Sequence, residues 1–182
     1  MLKANFITAQ EAAEKIQDGS TLCTIGMTLV SASESILKAI EKRFETVGHP
    51  ANITLVHSCG QSDRKDGIQH LAHEGLVKRI IGSHWGLQPR WMEMIANSQV
   101  EAYCLPQGQI AQLYRSMACG LPGKMSKVGL GTFIDPRVEG GKMNDRTKPL
   151  PDIVDILEYS GEEYMFYKEI PLDTVLIRGT VC

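Results

Sequence analysis

Short apolar runs alternate with segments of helical periodicity along this chain, and this alternation constrains the fold more than any other feature. Each run spans a few residues bounded by glycine, proline or polar residues, which is typical of a buried strand. Strand–helix alternation predicts an α/β fold: a mainly parallel open sheet with helices on both faces. The predicted strands are Thr21–Ile25, Ile53–His57, Arg79–Ile81, Val100–Leu105 and Thr174–Ile177.

Two Ser/Thr-x-x-Glu patterns, Thr8–Glu11 and Ser31–Glu34, predict capping boxes at helix N-termini. After the second pattern, apolar residues recur at helical spacing and predict one buried helix face. The apolar residues of that face are Ile36, Leu37, Ile40 and Phe44. Further helices are predicted over Ile68–Leu76, from Pro89 onward, and after a tight Pro106–Gln107–Gly108 turn.

The last third of the chain departs from the alternation. A long segment rich in glycine and proline, Lys124–Pro151, is predicted to be a loop. Ile153–Tyr159 and Glu163–Tyr167, joined by Ser160–Gly161, predict an antiparallel hairpin near the C-terminus. If the parallel sheet stops at Thr174–Ile177, the domain is incomplete and one strand edge is left unpaired.

Composition bounds the function classes. The 182 residues suit one domain, and 43% hydrophobic with 22% charged residues excludes a largely disordered chain. A net charge of −2 offers no basic face for nucleic acid, and no stretch of 18 apolar residues predicts a membrane span. Cysteines without any CxxC spacing indicate reduced thiols and a cytoplasmic location. They are Cys23, Cys59, Cys104, Cys119 and Cys182.

Three residue patterns are candidate sites, and each has a plain structural alternative. His70, His73 and Glu74 have a spacing that could hold a metal on a helix, but the HExxH order is absent and we assign no metal. Gly26 follows a strand and precedes a helix, so helix amides there could face an anion. Its segment TIGMTLVS has one glycine where a dinucleotide fingerprint needs three, and a tight turn explains it equally well.

Gln107 lies between Pro106 and Gly108 directly after a predicted strand. An uncharged amide at the carboxyl end of a strand could orient a carboxylate or a thioester carbonyl, or it could be a solvated turn residue. The segment GLGTFIDPRVEGGKMN, with Asp135 beside Arg137, favours a structural use. The residues alone therefore indicate an α/β domain with a ligand site at its strand ends. The loops of interest are Gly26–Ser33, Ser58–Gly67, Gly82–Pro89 and Pro106–Gln109.

Five segments in this order resemble one enzyme family: CTIGMTLVSASESILKAIEKRF, LAHEGLVKRIIGSHWG, EAYCLPQG, KVGLGTFIDPRVEGGKMND and LIRGT. From about Phe6 to Cys182 the chain resembles the single-chain acetate/propionate (short-chain acyl) CoA-transferases of family I. The most specific pieces are GTFIDPR, EGGKMN and LPQG. Chains of that family continue for well over twice this length, and a Glu-x-Gly motif in their second half carries the nucleophilic glutamate.

The resemblance implies that residues 1–182 are a truncated N-terminal (alpha-type) domain, inactive alone, whose catalytic glutamate is supplied by a C-terminal half. Glu139 precedes a Gly-Gly pair but belongs to the first-half EGGKMN segment, so it is not given the role of the nucleophile, and nothing else here matches the motif. The implied reaction is ping-pong transfer of CoA between short-chain acyl-CoA thioesters and free carboxylic acids through a glutamyl thioester. It takes CoA as substrate and needs no metal or redox cofactor.

By resemblance, Gln107 faces the reacting carboxyl and Gly108 lets the backbone approach, while Gly26 and Met27 lie near the same cleft. The loop from Gly131 to Arg137 is implied to be scaffold. The implied partners are acyl-CoA, a carboxylate and further copies in an oligomer. The alternative is a non-catalytic α/β ligand-binding or interaction module. A sugar-phosphate isomerase of related architecture is disfavoured because no phosphate-cradling motif is evident.

Overall fold

The computed structural model describes residues 4–179. Its helices are α1 (Ala9–Glu14), α2 (Glu34–Val47), α3 (Pro89–Ala96) and α4 (Gln107–Ala118), with one 3-10 helix at Gly67–Leu71. Its strands are β1 (Thr21–Thr24), β2 (Ile53–His57), β3 (Val77–Gly82), β4 (Glu101–Cys104), β5 (Gly123–Ser126), β6 (Val154–Tyr159), β7 (Glu162–Lys168) and β8 (Thr174–Leu176). Cys182 and the end of the LIRGT segment lie outside the described residues, and the single domain over residues 1–182 stays a prediction.

All five strands predicted from the apolar runs form one parallel sheet. Its order is β4-β3-β2-β1-β8, which confirms the mainly parallel α/β fold. The register pairs Thr24 of β1 with His57 of β2, and Gly82 of β3 with Cys104 of β4. The carboxyl ends of β1 to β4 therefore meet at one edge of the sheet, which we call the carboxyl edge.

A second, antiparallel sheet has the order β5-β7-β6. The predicted hairpin is confirmed as β6 and β7, joined at Ser160–Gly161. The prediction of a loop from Lys124 to Pro151 is wrong at its start, because β5 pairs Lys124 with Tyr167 and Ser126 with Met165. The four residues Gly-Lys-Met-Ser carry no apolar run, so this strand is formed by pairing with β7 and not by local preference.

Alternate residues of the parallel strands point into two different cores, one on each face of the sheet. Leu22 and Leu55 lie in the first core, while their neighbours Cys23 and Val56 lie in the second. Helices α1 to α3 and the 3-10 helix cover the first face. Helix α4 and the antiparallel sheet cover the second. Helices on both faces were predicted, and the small sheet shares the second face with α4.

One of the two predicted capping boxes forms. Thr8 caps α1, because its hydroxyl accepts from the amide of Glu11 while the Glu11 carboxylate accepts from the amide of Thr8. The second box is wrong: α2 begins at Glu34 after Ser33, whose side chain makes no capping hydrogen bond. Ser31 instead adopts a left-handed conformation with φ of 62°. The Glu34 carboxylate accepts from the amide of Gly67.

Candidate functional site

The turn after β1 is closely packed on its own backbone. Gly26 has φ of 155°, and a Cβ placed on it would lie 2.9 Å from the carbonyl oxygen of Val30. Met27 and Val30 exchange two backbone hydrogen bonds of 3.0 and 2.9 Å. Both of these side chains are exposed at the tip of the turn. Gly26 is therefore required by the turn itself, while Met27 offers an apolar side chain to a ligand or a neighbouring segment.

The segment after β4 is open. Pro106 is the residue before α4, and Gln107 and Gly108 are its first two residues, so the predicted separate turn before this helix is wrong. The amides of Gln109 and Ile110 both donate to the carbonyl of Pro106, which starts the helix at once. Gln107 and Gly108 are exposed. A Cβ on Gly108 would meet no atom within 4 Å, so the space beside it is available to a ligand.

The predicted site residues share the carboxyl edge but do not form one compact cluster. Gly26 and Met27 follow β1, while Gln107 and Gly108 follow β4, with β2 and β3 between them. At about 4.8 Å per strand the two pairs are about 14 Å apart. The site between them is lined by the loops that follow β2 and β3.

Two residues of those loops, Gly60 and His84, were not singled out from the sequence. His84 is exposed after β3, and its ring lies against Gly60 of the loop after β2. A Cβ on Gly60 would lie 2.6 Å from Cε1 of His84 and 2.7 Å from Nε2 of Gln88. A glycine inside a polar loop, together with a histidine directly after a strand, was the available signal.

His57, the last residue of β2, is fully buried beneath the edge. Its Nδ1 donates to the carbonyl of Cys59 at 2.8 Å, since a carbonyl can only accept. Its ring meets Trp85 edge to face, with centroids 6.1 Å apart. Burial lowers the pKa of His57 to about 4. The imidazole is therefore neutral at pH 7, and it shapes the loop after β2 instead of donating a proton from an imidazolium.

Gln61 is buried and connects the loops after β1 and β2 by hydrogen bonds. Its buried Nε2 donates to the carbonyl of Thr24 at 2.8 Å, directly before the Gly26 turn. The main-chain carbonyl of Gln61 accepts from the amide of Ile68 at 2.9 Å. The amide of Thr28 also donates to the carbonyl of Gly60 at 2.9 Å. The loops after β1 and β2 therefore form one hydrogen-bonded unit.

The glycine-rich segment has the predicted structural role. Asp135 is 1% exposed and accepts from the amide of Gly131 at 2.9 Å. The Arg137 guanidinium holds it through bonds of 3.0 and 2.8 Å and keeps the pKa of this carboxyl well below its usual range. Arg137 also pairs with Glu163 of β7 at 2.9 Å. The segment is thereby anchored to the antiparallel sheet.

The histidine pattern does not form the helical cluster that its spacing suggested. The segment is a 3-10 helix that ends at Leu71, so the predicted helix over Ile68–Leu76 is wrong. Glu74 is exposed, while His70 and His73 both contact Glu41 of α2. Lys38 and Arg90 pair with carboxylates of this cluster, and we assign no metal to it.

The described cysteines, Cys23, Cys59, Cys104 and Cys119, are free thiols. Burial raises the pKa of Cys104 to about 11, and its thiol donates to the carbonyl of Ser83 at 3.2 Å. This thiol is therefore an unreactive structural group at the carboxyl edge. Within residues 4–179, no helix combines the length and the apolar character that crossing a membrane requires.

Comparison with known proteins gives the family that the sequence resemblance indicated, over nearly the whole chain. The coenzyme A transferase family model matches residues 6–182. The chain is 43% identical over 178 residues to the caffeate CoA-transferase of Acetobacterium woodii, covering 97% of this chain and 34% of that protein. It is 38% identical to the acetate CoA-transferase YdiF of Escherichia coli K12, covering 97% and 33% respectively.

A solved structure agrees with these relatives. The acyl-CoA transferase YdiF of Escherichia coli O157:H7, in a thioester complex with CoA, superposes with a TM-score of 0.88 at 36% identity. The match covers 96% of this chain and 34% of that one. The chain thus spans about a third of the length of these relatives. On the strength of the family match and these identities, it belongs to the coenzyme A transferase family.

Proposed function

We propose that this chain is the N-terminal part of an enzyme that moves CoA between short-chain acyl-CoA thioesters, such as acetyl-CoA or propionyl-CoA, and free carboxylic acids. The open carboxyl edge at Gln107 and Gly108 is the observation that carries this proposal. It presents an exposed amide beside unfilled space, as a site for a planar carboxyl or thioester group requires. The names of the related acetate and caffeate CoA-transferases support the same chemistry.

In the proposed reaction a glutamate carboxylate attacks the acyl-CoA carbonyl, and the CoA thiolate leaves as the acyl-glutamyl anhydride forms. The thiolate then attacks the glutamyl carbonyl of the anhydride, releasing the free acid and leaving a glutamyl thioester. A second acid reverses these steps and departs as its CoA ester. CoA is a substrate, and the steps require no metal or redox cofactor.

This chain contributes the wall of the cleft in our proposal. The Gln107 amide donates to the oxygen of the reacting carbonyl, where negative charge develops. Gly108 allows the acyl group to lie against the start of α4, and Met27 excludes water from its far side. Neutral His57 keeps the loop after β2 in place without adding a competing charge.

The nucleophile is proposed to come from another part of the protein. Two carboxylates that flank the edge are already paired with cations, since Glu34 pairs with Lys38 at 3.1 Å and with His70 at 2.8 Å. Asp66 pairs with Lys38 at 3.3 Å. A carboxylate held by cations is a weaker nucleophile than one that is unpaired. The exposed edge strand β8, with Val175 44% exposed, favours pairing with a further segment or another copy.

The proposal is tested by a chimera in which this chain replaces the matching third of the Acetobacterium woodii caffeate CoA-transferase. Propionyl-CoA formation from acetyl-CoA and propionate is measured for the chain alone, for the chimera and for two variants. The chain alone should show no turnover and the chimera should be active. Gln107→Leu should lower turnover by on the order of 10²-fold, while Gln112→Leu, an exposed position on the same helix, should not.

Turnover by the chain alone would contradict the proposal that the nucleophilic glutamate lies outside this chain. Equal losses in both glutamine variants would overturn the role of Gln107. If calorimetry shows that the chain binds CoA and the folded chimera is inactive, the proposal of a non-catalytic binding module is favoured over that of a transferase. Light scattering and cell fractionation test two further proposals, an oligomeric assembly and a cytoplasmic location. The free thiols of the described cysteines support the second.

A further inference from the structure

The ring of His70 is enclosed by carboxylates from two elements. Its Nε2 lies 2.8 Å from Oε1 of Glu34 and 3.3 Å from Oδ1 of Asp66. Its Nδ1 contacts Oε2 of Glu41, and the side chain is only 13% exposed. A carboxylate only accepts hydrogen bonds, and a neutral imidazole has one N–H. The geometry therefore requires either two ring protons on His70 or a proton on one of the carboxylates.

Charge balance favours the first alternative. The carboxylates are Glu34, Glu41 and Asp66, and the side-chain cations beside them are Lys38 and Arg90. Three negative and two positive charges leave one negative charge, which an imidazolium at His70 neutralises. Buried charges are stable only when they are paired in this way.

The neighbours of Glu41 hold that carboxyl in its ionised form. Burial would raise the pKa of Glu41, but hydrogen bonds from His73 and His70 outweigh it and the pKa is lowered. His73 approaches with Nε2 at 2.8 Å, and Arg90 of α3 lies 3.4 Å away. Glu45, one turn further along α2, is exposed to solvent and is not counted among the half-buried charges. Glu41 is therefore not the site of the proton, and burial lowers the pKa of His70 less than these carboxylates raise it.

A chain of hydrogen bonds connects this cluster to the carboxyl edge. The second oxygen of Glu34 accepts from the amide of Gly67 at 2.9 Å. The next amide, of Ile68, donates to the carbonyl of Gln61. The side chain of Gln61 in turn donates to the carbonyl of Thr24 at 2.8 Å. Whatever holds Glu34 in place therefore also holds the loop after β2.

We propose that His70 is a positioning residue: as an imidazolium it clamps α2 to the 3-10 helix, and its deprotonation loosens the loop at residues 58–67 along the carboxyl edge. The clamp concerns the order of this loop and does not depend on the proposed transfer reaction. Because the folded-state pKa lies above the unfolded value near 6.5, its contribution is complete below pH 6.5. It is lost as the pH rises through the folded-state pKa.

The test is a pH titration of the unmodified chain by ¹⁵N NMR of the histidine rings and backbone amides. Both ring nitrogens of His70 should carry protons below pH 6.5, with a titration midpoint above 6.5. The amide signal of Gly67 should move with the same midpoint. The protection factor of this amide, which compares its hydrogen exchange with that of an unfolded chain at the same pH, should fall above the midpoint. A titration midpoint of His70 at or below 6.5, or a Gly67 amide indifferent to that midpoint, would overturn the proposal.

Two variants separate the direct contact from general charge effects. Glu41→Gln removes the carboxylate that faces Nδ1 of His70, and it should lower the midpoint of His70 by about one pH unit or more. Glu45→Gln removes the same charge one turn away on α2 and should shift it by much less. Equal shifts in the two variants would show that His70 senses only net charge, and the clamp would be rejected.

Discussion

The two ends of the carboxyl edge are built differently. After β1, Gly26 is surrounded by backbone atoms, and a Cβ would lie 2.9 Å from the nearest of them. After β4, Gly108 has open space around the position of a Cβ. Both residues are glycines that follow a parallel strand, yet one is required by the fold and the other is not. The packing of the fold therefore fixes Gly26, whereas it leaves the surface beside Gly108 open.

The largest expected effect is the pH dependence of stability set by His57, which pairs with Thr24 of β1 beside the Gly26 turn. We call this densely packed part of the edge the closed end and the part after β4 the open end. The folded-state pKa of His57, about 4, is below the unfolded value of 6.5, so the unfolded chain binds the proton first. Stability should therefore be complete above about pH 6.5 and fall by about 3 kcal/mol as the pH drops to 4. Urea unfolding at several pH values measures this.

The control for that prediction is a pair of histidine variants. His57→Gln, whatever its stability at pH 7, should lose this part of the acid dependence. His84→Gln, at an exposed histidine of the same edge, should retain it. If both variants keep the full slope, His57 is not the group responsible and the closed end is less tightly packed than described.

The second prediction is that Gly26→Ala destabilises the chain by about 2–3 kcal/mol. An alanine there combines a φ of 155° with close contacts to the backbone of Val30 and Ala32. The free energy of unfolding in urea should fall, with the slope unchanged. A loss below about 0.5 kcal/mol would show that the turn relaxes easily, and it would remove the distinction between the two glycines.

Much of this architecture follows from local pattern. The apolar runs predicted all five parallel strands, because a strand buried on both faces must be apolar throughout. Strand β5 was missed because its pairing with β7 stabilises a sequence without strand preference. The helix predicted over Ile68–Leu76 is shorter, ending at Leu71, and it is a 3-10 helix. The spacing of His70 and His73 indicates a helix but neither its kind nor its end.

The positions of the candidate site residues follow in part from the sequence, and the remainder depends on tertiary structure. LPQG directly after an apolar run was enough to place Gln107 and Gly108 at the carboxyl edge. The separation of this pair from Gly26 follows from the strand order, which no local pattern contains. The contact of His84 with Gly60 joins two loops from different strands, so it also could not be derived from spacing.

The third prediction concerns the open end and has a smaller magnitude and the opposite sign. Gly108→Ala should stabilise the chain by up to about 0.5 kcal/mol, since alanine favours a helix and meets no neighbouring atom. Unfolding in urea, side by side with Gly26→Ala, gives the most direct contrast between the two glycines. A loss of stability at Gly108 would mean that the apparent space is needed by the fold itself.

The smallest expected effect on stability belongs to Gln107→Leu, within about 0.5 kcal/mol of the unmodified chain. Its side chain is exposed at the first position of α4, and the start of that helix is set by the carbonyl of Pro106 and not by the glutamine. A stability change of this size cannot account for a large loss of CoA transfer in the chimera. If Gln107→Leu instead unfolds as readily as Gly26→Ala, the open end is part of the scaffold, and the acyl group must be bound elsewhere along the edge.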